Sequence, residues 1–457
     1  MSRALLLEAI RNRTTPRPAW VPYVGCHGGA LIGRSARDYL RSADLLVQGL
    51  TTAVALYRPD GLPVMFDLQL EAELLGCRLY WSDDTPPCVV DHPLEEGSLE
   101  QLPRFEAGAG RMAEGLRAMQ TLRARFGDEL AWYALVCGPF TLANHLRGNQ
   151  LFLDMCDEPA RVHELMVYCA EIACASAQAW MDAGADVVAI VDPMVSQISP
   201  SDFHQMVQAP LNRVLDFVRS HGRPVSLFVC GDVNPNLEGL AATHADNLSV
   251  DEQVPMARLR EVCQRAGKSF GGNLRLTATL LLGTPDDARR ETIQLMDAAG
   301  ATGFILAPGC DLPYATPPAN LRAVAEMVHD PYARETARAL LAQRAEDRYE
   351  DVPLPDYAAA DGVVLDVITL DSTSCAPCQY MMEAVRRAAE RSGVRCYINE
   401  HKIKVRQGLG VMYKLGVRNL PSVCIDGEVR FASIIPDPNQ LVAAIREAAA
   451  RRGWQPL

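Results

Sequence analysis

Cys230, in Leu227-Phe228-Val229-Cys230-Gly231-Asp232, and Cys310, in Ala307-Pro308-Gly309-Cys310-Asp311-Leu312-Pro313, each close a short apolar run that reads as a buried strand. Each is followed at once by an acid and a turn. Two sulfurs meeting at strand ends suit a soft metal such as zinc, or thiol chemistry without a metal. A second pair, Cys375 and Cys378 in Thr373-Ser374-Cys375-Ala376-Pro377-Cys378, has the two-residue spacing of a redox dithiol, with a metal site as the other reading. It follows a predicted strand and opens a predicted helix, whose N-terminus stabilises the thiolate of the first cysteine.

Other groups able to do chemistry also fall where apolar runs stop, among them Asp192, Asp251 and Asn273. Runs over 20–25, 132–137, 185–192, 224–230, 247–251, 269–273 and 303–307 predict strands, with amphipathic helices between them, for example over 160–183 and 285–299. Alternation of this kind predicts an α/β fold, a (β/α)8 TIM-type barrel over residues 1–345, with its chemistry at the strand C-terminal ends. Residues 331–348 read as a charged terminal helix, 346–360 as a Pro-containing linker, and 361–457 as a second, smaller unit. That unit reads as strand 363–370, a helix from 375, strand 394–398, helix 405–415, strands 422–425 and 428–431, and helix 438–451.

The 457 residues exceed one compact core, and a net charge of −12 argues against nucleic acid or an anionic membrane as a partner. The N-terminus meets charge early and carries no long apolar stretch, so the expectation is a cytoplasmic protein with small-molecule or protein partners. Fourteen cysteines in such a chain read as packing, ligands or redox groups, not as a disulfide framework. His145 and His204 read as structural, and Asp67 and Glu71, four apart, as two carboxylates on one helical face.

Four stretches together resemble the uroporphyrinogen decarboxylase superfamily, and within it the cobamide-dependent methyltransferases. They are Phe66-Asp67-Leu68 with Glu71-Ala72-Glu73-Leu74-Leu75-Gly76; Cys137-Gly138-Pro139-Phe140-Thr141-Leu142-Ala143; Gly184-Ala185-Asp186 through Asp192-Pro193; and Gly309-Cys310-Asp311-Leu312-Pro313 through Thr316-Pro317. The decarboxylases carry an arginine-bearing stretch after the first strand; here Gly25-Cys26-His27-Gly28-Gly29 stands there, so an acidic tetrapyrrole loses its guanidinium partners. They also carry His where this chain has Cys310, whereas the methyltransferases carry Cys. Those methyltransferases hold zinc through a His-x-Cys pair and a distant Cys. Cys230 and Cys310 match the cysteines, and Phe228 stands where the His would be. His27, at the end of the first strand, is a candidate substitute ligand or substrate contact. The C-terminal unit resembles thioredoxin-like domains through the Cys375–Cys378 motif and Leu420-Pro421-Ser422, which matches their cis-proline.

The resemblance implies transfer of a methyl group between a cobamide and a thiol or similar small acceptor. Cys230 and Cys310 hold zinc or act as thiols, Asp67 and Asp192 serve catalysis, and His27 and Asn273 line the substrate pocket. Cys375 attacks, Cys378 resolves, Pro421 packs beside them, and the dithiol keeps sulfurs reduced. No cobalamin-binding Asp-x-His-x-x-Gly stretch occurs, so the cobamide arrives free or on a separate corrinoid protein. A decarboxylase of a small acid and a thiol-disulfide oxidoreductase with a binding barrel remain the alternatives, and oligomeric state, a homodimer included, stays open.

Overall fold

A computed structural model describes residues 1–341, 349, 351–373, 375–417 and 419–454. The chain divides into two compact units, Met1–Ala342 and Gln343–Leu457. The expected domain boundary at 345, part of the linker, and the end of the helix over 331–348 lie outside the described residues; the part described is helical over Pro331–Leu341.

In the first unit eight parallel strands form one sheet: β1 Ala19–Trp20, β2 Gly61–Pro63, β3 Ala131–Cys137, β4 Val187–Val191, β5 Val225–Val229, β6 Asn247–Val250, β7 Ser269–Leu274 and β8 Phe304–Pro308. Their order is β1-β8-β7-β6-β5-β4-β3-β2, and helices such as Pro159–Asp182 and Pro285–Ala299 return the chain between them. β1 stops at Trp20, short of the expected 20–25, because Pro22 offers no N–H and the following residues fold into tight turns, Val24 N–H to Pro22 O and Gly25 N–H to Tyr23 O. β2 has three residues ending in proline, too short to stand out as an apolar run. A two-stranded hairpin, Leu79–Tyr80 with Cys88–Val89, was also not expected.

Closure of the barrel falls to one residue. Asp60 donates its N–H to Trp20 O at 2.8 Å, and its own carbonyl accepts from Ala131 N–H at 3.0 Å, so it links β1 to β3. Its fully buried carboxylate accepts Trp20 N–H at 3.0 Å and both guanidinium nitrogens of Arg17 at 2.5 and 2.9 Å.

The second unit is a four-stranded sheet, β9 Val363–Thr369, β10 Cys396–Lys402, β11 Ser422–Ile425 and β12 Glu428–Ala432, in the order β10-β9-β11-β12. β9 and β10 are parallel; β11 and β12 are antiparallel to their neighbours. Alternate residues Val363, Leu365 and Val367 of β9 bury against Met381, Val385, Leu441 and Ile445 of the helices Ala376–Ser392 and Pro438–Arg451.

Because Asp60 answers backbone and guanidinium donors that stay buried without it, Asp60→Ala should cost about 3–5 kcal/mol of barrel stability in urea unfolding. A loss below about 1 kcal/mol would show that closure does not depend on this carboxylate.

Candidate functional site

β5 and β8 are separated by two strands, yet the residues just past their ends reach across the barrel mouth to each other. The Cys310 thiol lies beside the Cys230 thiol, close enough to raise its titration. Both are free and partly exposed. They rest on a buried aromatic floor: Tyr23 and Phe228 at 5.0 Å between ring centres, Tyr23 and Phe66 at 5.9 Å, Phe66 and Phe228 edge-on at 6.2 Å. The Tyr23 hydroxyl donates to Ser249 Oγ at 3.2 Å.

Two carboxyls from the end of β6 join them. Asp251 accepts the N–H of Gly231 at 3.2 Å and of Gln253 at 3.1 Å, which ties it to the residue after Cys230. Glu252 lies over Gly309, the residue before Cys310; a Cβ there would come within 2.1 Å of Glu252 Oε2 and 3.0 Å of its backbone N, so the two segments approach closely. That Oε2 is buried and has no hydrogen-bond partner. The neighbouring Cys310, burial and the two carboxyls push the Cys230 thiol well above its usual range. Burial and Asp251 push Glu252 well up in the same way. Asp251 stood out in the sequence as a strand-end acid; Glu252 did not, and its only signal is a second acid directly after the first.

A structural zinc needs about four donors, and a catalytic one about three plus a water. The spot offers two sulfurs, and Phe228 contributes a phenyl ring to the floor. Among the described residues, no group of three His, Cys, Asp or Glu side chains is arranged to hold a metal. As arranged, the residues do not fit a zinc centre.

The remaining candidates are placed around the mouth but are engaged by the protein itself. His27 donates Nδ1–H to the carbonyl of Tyr314 at 3.1 Å and accepts the Tyr57 hydroxyl on Nε2 at 2.7 Å, since a carbonyl can only accept. Burial lowers it to about 4, so it is neutral, and neither ring nitrogen is left for a metal or substrate. Asp67 pairs with Arg111 at 2.5 Å and accepts Gln69 N–H at 2.8 Å. Asp192 takes the N–H groups of Phe140 and Thr141 at 3.1 and 2.8 Å and the Thr141 hydroxyl at 2.6 Å, capping the helix Pro139–Arg147. Asn273 donates to the carbonyls of Asp251 and Val254 at 2.9 and 2.7 Å and so fixes the loop that carries the two site carboxyls.

The model of the uroporphyrinogen decarboxylase (URO-D) family matches residues 1–331. The chain belongs to the uroporphyrinogen decarboxylase family. Relatives in that family include the methylcobamide:CoM methyltransferase MtbA of Methanosarcina acetivorans, 29% identical over 58% of this chain and 78% of its own. The methylcobamide:CoM methyltransferase MtaA of Methanosarcina barkeri is 28% identical over 62% and 84%. The uroporphyrinogen decarboxylase of Gloeobacter violaceus is 23% identical over 72% and 97%. A solved methyltransferase from Methanosarcina mazei superposes with a TM-score of 0.66 at 23% identity, covering 73% of this chain and 98% of that one, and confirms the family's barrel fold.

A thioredoxin domain model matches residues 365–446, outside the family barrel. Within it Cys375 and Cys378 form a disulfide with Cα atoms 5.2 Å apart. Cys375 precedes the first turn of the helix Ala376–Ser392, and Cys378 Sγ accepts Leu370 N–H at 3.3 Å. The Leu420–Pro421 bond is cis, as the resemblance implies. Among the described residues no helix is long and apolar enough to cross a membrane.

One buried acid beside the mouth has a titration that can be read directly. Glu71 Oε1 accepts the Ser176 hydroxyl at 2.6 Å while Oε2 has no partner, and burial pushes the group up to about 7. A carboxyl raised in the folded state binds a proton that the unfolded chain has released, so it removes stability as pH rises from about 4.5 to about 7. Glu71→Gln should therefore gain on the wild type by on the order of 3 kcal/mol across that window, measured as unfolding free energy at each end. A difference that stays constant with pH would refute the assignment.

Proposed function

We propose that the barrel transfers a methyl group from a methylcobamide substrate to a small thiol, with the C-terminal dithiol keeping the sulfurs reduced. The observation that carries this reading is the Cys230–Cys310 pair at the mouth of a barrel whose relatives are named methylcobamide:CoM methyltransferases. In the transfer, the carbon–cobalt bond breaks with its electron pair staying on the corrinoid, and a carbon–sulfur bond forms on the acceptor. The acceptor thiol must lose its proton. Cys230 and Cys310 hold its sulfur at the mouth by S–H hydrogen bonds, and Asp251, whose carboxylate accepts the N–H groups of Gly231 and Gln253, is the base on hand to take the proton up. The floor of Tyr23, Phe66 and Phe228 excludes water from beneath the reacting sulfur.

Zinc takes no step in this scheme, because among the described residues no three His, Cys, Asp or Glu side chains are arranged to hold it. The cobamide arrives free or on a partner protein. The mouth sulfurs are neighbours, so oxidation that joined them would end their role. A fused dithiol of thioredoxin type is the group suited to reverse that.

The test is loss of methylcobalamin absorbance with 2-mercaptoethanol as acceptor, alongside metal content of the purified chain. Cys230→Ser should lower turnover at least about 100-fold, equivalent to about 2.7 kcal/mol of transition-state stabilisation. Cys375→Ser should leave turnover intact while dithiothreitol is present and let it decay in air. Full activity of Cys230→Ser sinks the role of the thiol pair, and about one zinc per chain lost in a Cys230/Cys310 double variant sinks the metal-free scheme.

A further inference from the structure

We infer that the acceptor thiol carries a positive charge or none, and that the mouth selects against an anionic thiol. This rests on the methyl-transfer reading and names the substrate class of that site. The segments 19–26, 61–70, 131–141, 187–198, 225–236, 247–257 and 304–315, which hold seven of the strands and the residues following them, contain no Lys or Arg and six carboxylates. Two of the six act on Cys230, and two more follow the thiols closely in the chain. Asp232 follows Cys230 by two residues, and Asp251 bonds to Gly231. Glu252 lies on Gly309, and Asp311 directly follows Cys310, its carboxylate against Gly25, where a Cβ would come within 2.2 Å. The groups that act on Cys230 are Cys310, Asp251 and Glu252, with no cation among them.

Two cations at the rim pair with acids, and a third, Arg258, is held by Asn234 through its Oδ1 at 3.1 Å and its backbone carbonyl at 3.0 Å. Arg275, one residue past β7, bonds Glu291 at 2.9 Å. Arg111 bridges Asp67 and Glu73 at 2.5 and 2.7 Å. His27 is held by Tyr57 and Tyr314. An anionic thiol beside these acids would find no Lys or Arg in these segments, whereas an ammonium would draw Glu252 into its ionised form and pair with Oε2, which is buried and has no partner. Like charge brought to a partly dry site is disfavoured by about tenfold in rate or affinity. The aromatic floor is compatible with either a neutral or a cationic short chain.

The experiment uses two-carbon thiols of different charge with the full chain: 2-aminoethanethiol, 2-mercaptoethanol and 2-mercaptoethanesulfonate, compared per thiolate with methylcobalamin as donor. The expected order of kcat/KM is cationic, then neutral, then anionic, with about tenfold or more between the ends. Equal rates, or the sulfonate fastest, overturn the inference. A second measurement needs no methyl transfer. Ethyl methanethiosulfonates bearing trimethylammonium or sulfonate groups are reacted with the native protein, and modification of Cys230 and Cys310 is located by peptide mass. The cationic reagent should react about tenfold faster than the anionic one, after division by their ratio on free 2-mercaptoethanol, and Glu252→Gln should shrink that preference. A corrected ratio of one or below, or a preference untouched in Glu252→Gln, overturns it. If no thiol is methylated, the methyl-transfer reading falls while the labelling ratio still decides the charge preference.

Discussion

Closure of eight parallel strands into a barrel is the constraint on which everything at the mouth depends. β1 and β2 are the shortest strands and cannot hold the seam alone. Asp60 holds it, with backbone bonds to Trp20 and Ala131 and a buried carboxylate that answers Trp20 N–H and Arg17. Once the sheet is closed, residues that follow β5 and β8 face each other although eighty positions separate Cys230 from Cys310 in the chain. The strand tilt of a closed barrel brings such ends together; an open sheet of the same strands would keep them two strands apart.

Crowding like groups into a small, partly dry space then sets the chemistry. Two thiols and two carboxyls crowd together, so Cys230, Asp251 and Glu252 resist losing their protons. Phe228, where the resemblance called for an imidazole, turns what would be a ligand position into part of an aromatic floor with Tyr23 and Phe66. The mouth is therefore acidic above and apolar below, a different surface from one built to hold a metal or to grip a polycarboxylate.

Much of the polar material near the mouth works on the protein itself. Asp192 caps a helix, Asp67 is held by Arg111, His27 bridges a hydroxyl and a carbonyl, and Asn273 pins the loop that carries Asp251 and Glu252. Each of these residues was legible as a strand-end or motif group, and the resemblance gave them contacts with substrate. What no linear pattern displays is whether a carboxylate finds its donors inside the chain. Asp192 finds three because the next helix begins beside it, while Glu252 Oε2 finds none because its neighbours are another acid, a glycine and a thiol.

The amino-acid order by itself determined the alternation of strands and helices, the two-unit organisation, the thioredoxin-like motif with its proline, and the two sulfurs at strand ends. These follow from local periodicity and from residue types whose chemistry is independent of context. It did not reveal β2, which at three residues ending in proline is too short to carry a period. The shortened β1 escaped it too, because the turns after Pro22 override a run of apolar side chains. Only the tertiary structure decided that Cys230 lies beside Cys310, that Glu252 stands beside them without a partner, and that His27 has no free nitrogen. Contacts between residues far apart in sequence depend on closure and packing, which no local window contains.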